Sequence, residues 1–174
     1  MICYLQAQTK EELHQILELQ RRNLPNALSR DEMQKEGFVT VAHTFDILKR
    51  MNDVCPHILA KHNDKVIGYA LCMHPSFEQE IPILRPMFHE IKTVHKNHDF
   101  MVMGQICIAK PFRGQGIFQK MYAAMKTSLP PEFSKIITEV DAQNQRSLTA
   151  HTAVGFKKIK QYRANGKEWI LIVL

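Results

Sequence analysis

Two glycines, Gly114 and Gly116, stand inside the basic, polar stretch AKPFRGQGIF at residues 109–118, between an aliphatic run and an apolar helical pattern. Few chain paths accommodate that. Glycine adopts φ > 0 without strain and has no side chain to block approach, so a turn with glycine at alternate positions brings its backbone close to something. Ile117, Phe118, Met121 and Met125 then recur at helical spacing, which puts the glycines at a helix N-terminus. Free N–H groups and the helix dipole favour an anion there, and phosphate is the natural candidate. The Lys-Ser or Lys-Thr pair of a Walker P-loop does not follow the second glycine, and no G-x-G-x-x-G fingerprint is completed. On this fragment alone an ordinary strand-to-helix turn stands as an equal reading.

The rest of the chain alternates strands with helices. ICYLQAQ reads as a strand, and Thr9-x-x-Glu12 as a capping box for a helix to about Asn23, with Leu13, Ile16, Leu17 and Leu19 as its apolar face. A second box, Ser29-x-x-Glu32, opens a shorter helix that Gly37 interrupts, and TFDILKRM adds another helical stretch. HILAKH and KVIGYALCM form a hairpin turning at Asn63-Asp64. Residues 75–99, with several prolines and histidines and no clean period, read as a long loop with one helix after Pro86. The strand FMVMGQICIA leads into the glycine turn and its helix. The strand KIITEV, a helix from Asn144 to Val154, and a hairpin of FKKIKQY and KEWILIVL on Asn165-Gly166 complete the chain.

With 174 residues, 45% hydrophobic and 23% charged, the chain is expected to form one globular domain, residues 1–174. A net charge of +6 permits a polyanion as partner, but no Lys/Arg run exceeds two residues, as at Arg21-Arg22, so nucleic acid is not expected. Cys3, Cys55, Cys72 and Cys107 lack paired spacing, and the N-terminal residues lack a signal-peptide pattern. The expectation is a cytoplasmic protein with reduced core thiols and no membrane segment. His95 and His98, with His89 nearby, have no acidic or thiol third ligand at a recognisable spacing, so no metal is expected.

The series ICIAKPFRGQGIF, followed after a helix and a strand by EVDAQNQRSLTAHTAVGF, resembles the two signature segments of the GNAT superfamily of acetyl-CoA-dependent N-acetyltransferases. Arg113, Gly114, Gln115, Gly116 and Ile117 match its R-G-x-G-x turn; Phe118 departs from the small residue usual next. Asn144, Ser147, His151, Gly155 and Phe156 meet its downstream pattern in order and spacing. The resemblance covers roughly the last three fifths of the chain. It implies an α/β (α+β) fold: a central mixed, mostly antiparallel sheet of about seven strands flanked by helices, with a splayed strand pair forming the acyl-CoA cleft. It further implies that the turn holds the diphosphate of acetyl-CoA and that the pantetheine arm runs beside Ile106, Cys107 and Ile108. Asn144 and Ser147 would contact the cofactor. Gly104 fits a bulge that helps splay the strands, or a close packing against a helix.

The implied chemistry is direct attack of a primary amine on the thioester, in a ternary complex. The acceptor is unknown, and the assembly is a monomer or homodimer. An amine with a pKa near about 10.4 arrives protonated, so the site needs a base, and the developing oxyanion needs donors. Glu139, at the end of the strand beside the cleft, is the first candidate base, ahead of Asp99 and Glu78. His151 stands where the family most often has a Tyr that protonates the departing thiolate, with Tyr122 and Tyr162 in reserve. Cys107 is a weaker candidate as an acyl-carrying nucleophile. Acceptor choice would lie with residues 21–38 and 75–99. A coenzyme-A-binding regulator or pseudoenzyme is the alternative.

Overall fold

Helix starts are fixed by local chemistry. The Thr9 hydroxyl accepts from the Glu12 N–H at 3.2 Å while the Glu12 carboxylate accepts from the Thr9 N–H at 3.0 Å, closing the box that opens α1 (Lys10–Arg21). Ser29 and Glu32 repeat the arrangement at α2 (Arg30–Glu36). Gly37, at φ 75°, ends that helix in a conformation an L side chain resists. Four further helices are α3 (Phe45–Val54), α4 (Arg85–Val94), α5 (Ile117–Thr127) and α6 (Gln145–Val154). The computed structural model describes residues 1–174.

The strands are β1 (Ile2–Gln6), β2 (Ile58–His62), β3 (Lys65–Met73), β4 (Phe100–Ile108), β5 (Lys135–Asp141), β6 (Lys157–Ala164) and β7 (Lys167–Val173). They form one seven-stranded sheet in the order β1-β2-β3-β4-β5-β7-β6. Every pairing is antiparallel except β4 with β5. Asn63-Asp64 and Asn165-Gly166 all take positive φ, the geometry of two-residue hairpin turns that match strand twist.

Each face of the sheet carries its own core, as period-2 alternation requires. Tyr69, Leu71, Val102, Ile137 and Leu171 pack with Ile16, Leu48, Met51, Phe88 and Ile91 of α1, α3 and α4. Ala70, Met101, Ile136 and Ile170 pack on the other side with Ile117, Met121, Tyr122 and Met125 of α5. Fully burying such a side chain stabilises the fold by about 1.5–3 kcal/mol, so this two-sided burial holds the sheet rigid beneath the site.

The stretch 75–99 is more ordered than a loop reading suggests. Two short 3-10 turns, Pro75–Gln79 and Pro82–Leu84, lead into α4, which begins one residue before Pro86. Proline suits a first helical turn because its missing N–H is not needed there. The buried Phe77, Ile81 and Leu84 anchor the segment to the core beneath α4.

Two features of β4 position the site. Its pairing with β5 runs only from Phe100↔Lys135 to Val102↔Ile137, after which the strands part. Against β3 the register slips between Leu71↔Gln105 and Cys72↔Met103, so Gly104 is the extra residue of a bulge. The bulge bends β4 where it leaves β5.

Candidate active site

Parting β4 from β5 frees the backbone edge of β4 beyond Val102. A cavity of about 340 Å³ opens there. Ile106, Cys107 and Ile108 of β4 form one wall, and Arg113, Gly114, Gly116, Ile117 and Phe118 form the end at the start of α5. Asn144, just before α6, and Ser147 and Ala150 within it form the opposite side. Gln115 alone among the expected turn residues does not line the cavity; its side chain bonds back to the Pro111 carbonyl at 3.1 Å.

Gly114 and Gly116 sit at φ 74° and 73°, and a Cβ built on either meets nothing within 4 Å. This left-handed conformation therefore serves open space rather than close packing against the protein. No side chain caps the N-terminus of α5, so its first N–H groups stay available to an anion. Phe118, where a small residue was the pattern, turns its ring onto His151 at 5.0 Å and Tyr122 at 5.2 Å. At α6, Asn144 is the N-cap and accepts from the Ser147 N–H at 3.1 Å.

Arg113 turns away from the glycines. Its guanidinium donates to the Ile108 carbonyl at 2.9 Å, to Asn23 Oδ1 at 2.7 Å and to the Glu36 carboxylate at 2.8 Å. Arg146 donates to the Lys35 carbonyl at 2.6 Å and lies 3.8 Å from Glu36. The hydrogen bond from Arg113 holds the Glu36 carboxyl below its usual range. Asn23, Glu36 and Phe38 line the cavity from the stretch 21–38 that was expected on the acceptor side, while Val39 and Arg146 are cavity residues that sequence reasoning did not single out. Gly37 between them was the available signal, since its backbone lies against the Asn144 side chain with a built Cβ at 3.4 Å.

Glu139 lies on β5 just past the point where the strands part, on the face shared by Ile137 and its cross-strand partner Leu171. It is half-buried and accepts a hydrogen bond from the Tyr162 hydroxyl. Burial pushes its carboxyl up to about 7, against the opposing pull of that bond. It does not line the cavity described above.

His151 departs from its expected placement as proton donor. It is 2% exposed and lies behind the cavity wall, caged by Phe118, Tyr122 and Phe156. Its Nδ1 faces the Ser147 carbonyl at 2.8 Å, an acceptor only, so Nδ1 carries the proton and Nε2 accepts from the Tyr122 hydroxyl at 2.8 Å. Burial depresses its pKa to about 4. Both nitrogens are engaged and the ring is neutral near pH 7. Tyr122, 1% exposed, is equally sealed.

Of the remaining candidates Cys107 lines the cavity, whereas Glu78 and Asp99 lie outside it. Burial pushes the Cys107 thiol up to about 12, which suppresses the thiolate a nucleophile needs. Glu78 pairs with Lys92 at 2.6 Å, and Asp99 with His95 at 2.7 Å and Lys135 at 3.2 Å. No group of three His, Cys, Asp or Glu side chains is arranged to hold a metal ion, and no helix is long and apolar enough to cross a membrane.

Comparison with known proteins gives one family and many solved structures of the same fold. The family described as "Acetyltransferase (GNAT) family" matches residues 13–156. Among curated proteins none matches in sequence. A chain of the NatC complex, solved bound to Gag peptide and CoA, is 17% identical with a TM-score of 0.67 over 99% of this chain and 97% of that one. The ribosomal-protein-S18-alanine N-acetyltransferase from Escherichia coli is 12% identical, TM-score 0.66, over 100% and 93%. The aminoglycoside acetyltransferase AAC(6')-Ib, solved with coenzyme A, is 16% identical, TM-score 0.66, over 100% and 94%. At such identities the likeness is one of fold.

Proposed function

Because the chain belongs to the GNAT acetyltransferase family, we propose that it is a single N-acetyltransferase domain, residues 1–174, that moves an acetyl group from acetyl-CoA to a primary amine. One observation carries this reading. The free edge of β4 runs through the cavity to two positive-φ glycines facing open space at an uncapped helix N-terminus. A pantetheine arm fits such an edge and a diphosphate fits such a terminus. Coenzyme A or acetyl-CoA bound to structures of the same fold supports the same cosubstrate.

The amine nitrogen attacks the thioester carbonyl, the C–N bond forms, and the C–S bond breaks as electrons leave with sulfur. Glu139, with a pKa of about 7, is half ionised at neutral pH and takes the amine proton, directly or through one water. Backbone N–H groups of β4 beyond the splay are the candidate oxyanion donors. The leaving thiolate belongs to a thiol with a pKa near about 8.5, so it departs with little help from an acid. That lessens the need for the acid role expected of His151. All four cysteines are free, which fits a reducing, cytoplasmic setting.

The sealed state of His151 favours a second reading, a coenzyme-A-binding protein without transferase activity. Thiol release from acetyl-CoA, measured over a panel of small amines and N-terminal peptides, separates the two. Amine-dependent release that falls at least tenfold in Glu139→Gln is the expected result. Binding with no release from any amine favours the second reading or an acceptor outside the panel.

A further inference from the structure

The hairpin of β6 and β7 contains an irregularity that places one hydroxyl. Lys157 and Lys158 pair with Val173 and Ile172, but the next pair is Lys160 with Leu171, so Ile159 is an extra residue. A bulge of this kind shifts every later side chain to the opposite face. In the unshifted register Tyr162 would face the α5 side of the sheet. With the bulge it opposes Trp169 and shares the face of Leu171, where Glu139 lies.

We propose that Tyr162 is a positioning residue for the acetyl transfer: aimed by the Ile159 bulge, its hydroxyl donates to Oε2 of Glu139 and leaves Oε1 as the oxygen that takes the amine proton. The inference rests on Glu139 being the base. The hydroxyl does two things an unassisted carboxylate would lack. It fixes the rotamer of a side chain standing just past the part of β5 that pairs with β4, and it favours the ionised form against the cost of burial. Without it the carboxyl would be mostly protonated at neutral pH and too weak a base to take the amine proton.

The surrounding charges are otherwise neutralised. Glu90 of α4 faces the pair but is matched by Lys160 at 2.5 Å. Asp141, farther along β5 on the same face, is matched by Lys167 at 2.9 Å. Tyr162 is thus the hydrogen-bond donor that Glu139 has within the chain. Burial, together with the nearby carboxylates of Glu139 and Glu90, drives the phenol pKa well above its ordinary value, so it stays a donor across the working range.

The test is a carboxyl titration followed by NMR on protein labelled with ¹³C at glutamate, Glu139 being assigned by the resonance lost in Glu139→Gln. This needs no acceptor. The wild-type midpoint is expected near 7, and Tyr162→Phe should raise it by about one unit. Site-specific 3,5-difluorotyrosine at 162, a stronger donor of nearly the same shape, should lower it, which keeps the test open should Tyr162→Phe fold poorly. The acid limb of thiol release with an active amine should move with the midpoint, at unchanged KM for acetyl-CoA. An unmoved midpoint in both variants, with turnover lost in Glu139→Gln, overturns the role of Tyr162 and leaves the base assignment standing. Full turnover with the same acid limb in Glu139→Gln overturns the base assignment itself and the proposal with it.

Discussion

His151 matches a family pattern by its place in the chain, and its surroundings differ from those the pattern implies. Its position in the series Asn144, Ser147, His151, Gly155 and Phe156 is the one from which a side chain is expected to reach the sulfur. The imidazole instead spans Ser147 and Tyr122 inside an aromatic cage. Phe118, a ring where the pattern has a small residue, stands beside the imidazole at the cavity wall. His151→Phe should therefore leave the pH profile of thiol release unchanged while lowering stability by about 1–3 kcal/mol, since the Tyr122 hydroxyl is left buried without a partner. Urea denaturation together with steady-state rates measures both, and a lost acid limb with unchanged stability would restore His151 to the chemistry.

At the scale of elements, α2 is the weakly held part of the site. None of its residues is buried, so apolar packing contributes little. It is fastened through Glu32 to Lys110 at 3.3 Å, Glu36 to Arg113 at 2.8 Å, and the Lys35 carbonyl to Arg146 at 2.6 Å. The exposed Glu32–Lys110 pair contributes about 0–1 kcal/mol, and the half-buried Arg113 keeps Asn23 and the Ile108 carbonyl as acceptors when Glu36 is lost. Glu36→Ala should thus raise amide exchange across residues 30–36 several-fold while shifting the global unfolding free energy by less than about 1 kcal/mol. Unchanged exchange there would mean that something other than charge holds the helix.

The same element marks the limit of sequence reading. Capping boxes at Thr9 and Ser29, the paired turns at Asn63 and Asn165, and the double glycine at 114 and 116 are local signals, and each fixed its element. That Glu36 and Phe38 share a wall with Gly116 depends on a chain crossing with no local code. The Ile159 bulge is equally silent, because a single extra residue in KKIKQY disturbs no hydrophobic pattern while it reverses the face of Tyr162. Residues 75–99 hid their order behind prolines that sit at first turns of helices rather than in a loop.

For the molecule as a whole, burial of imidazoles predicts how stability responds to acid. His43, His57 and His151 are held at about 4 in the folded chain against 6.5 as the ordinary value. Between those values the unfolded chain binds protons that the folded chain refuses. Their contribution is thus complete above pH 6.5 and drains away as pH falls to about 4, by up to about 3 kcal/mol apiece. Glu139 runs the other way, since its raised pKa favours folding at low pH and is lost as pH rises through about 7. Three imidazoles outweigh one carboxylate, so the urea midpoint should fall from pH 6.5 to 4. A flat midpoint across that window would show the imidazoles to be more hydrated than the structure has them.

The cleft itself is the product of whole-molecule geometry: a sheet held rigid on both faces, parted between β4 and β5, with a glycine turn closing the far end. Calorimetric titration with acetyl-CoA, run on the wild-type chain and on Gly116→Trp, tests this most directly. Submillimolar binding to the wild type, lost in a Gly116→Trp variant whose circular dichroism is unchanged, is the predicted result. No binding to the wild type, or equal affinity in the two chains, would contradict the assignment and leave residues 113–117 as a turn between a strand and a helix.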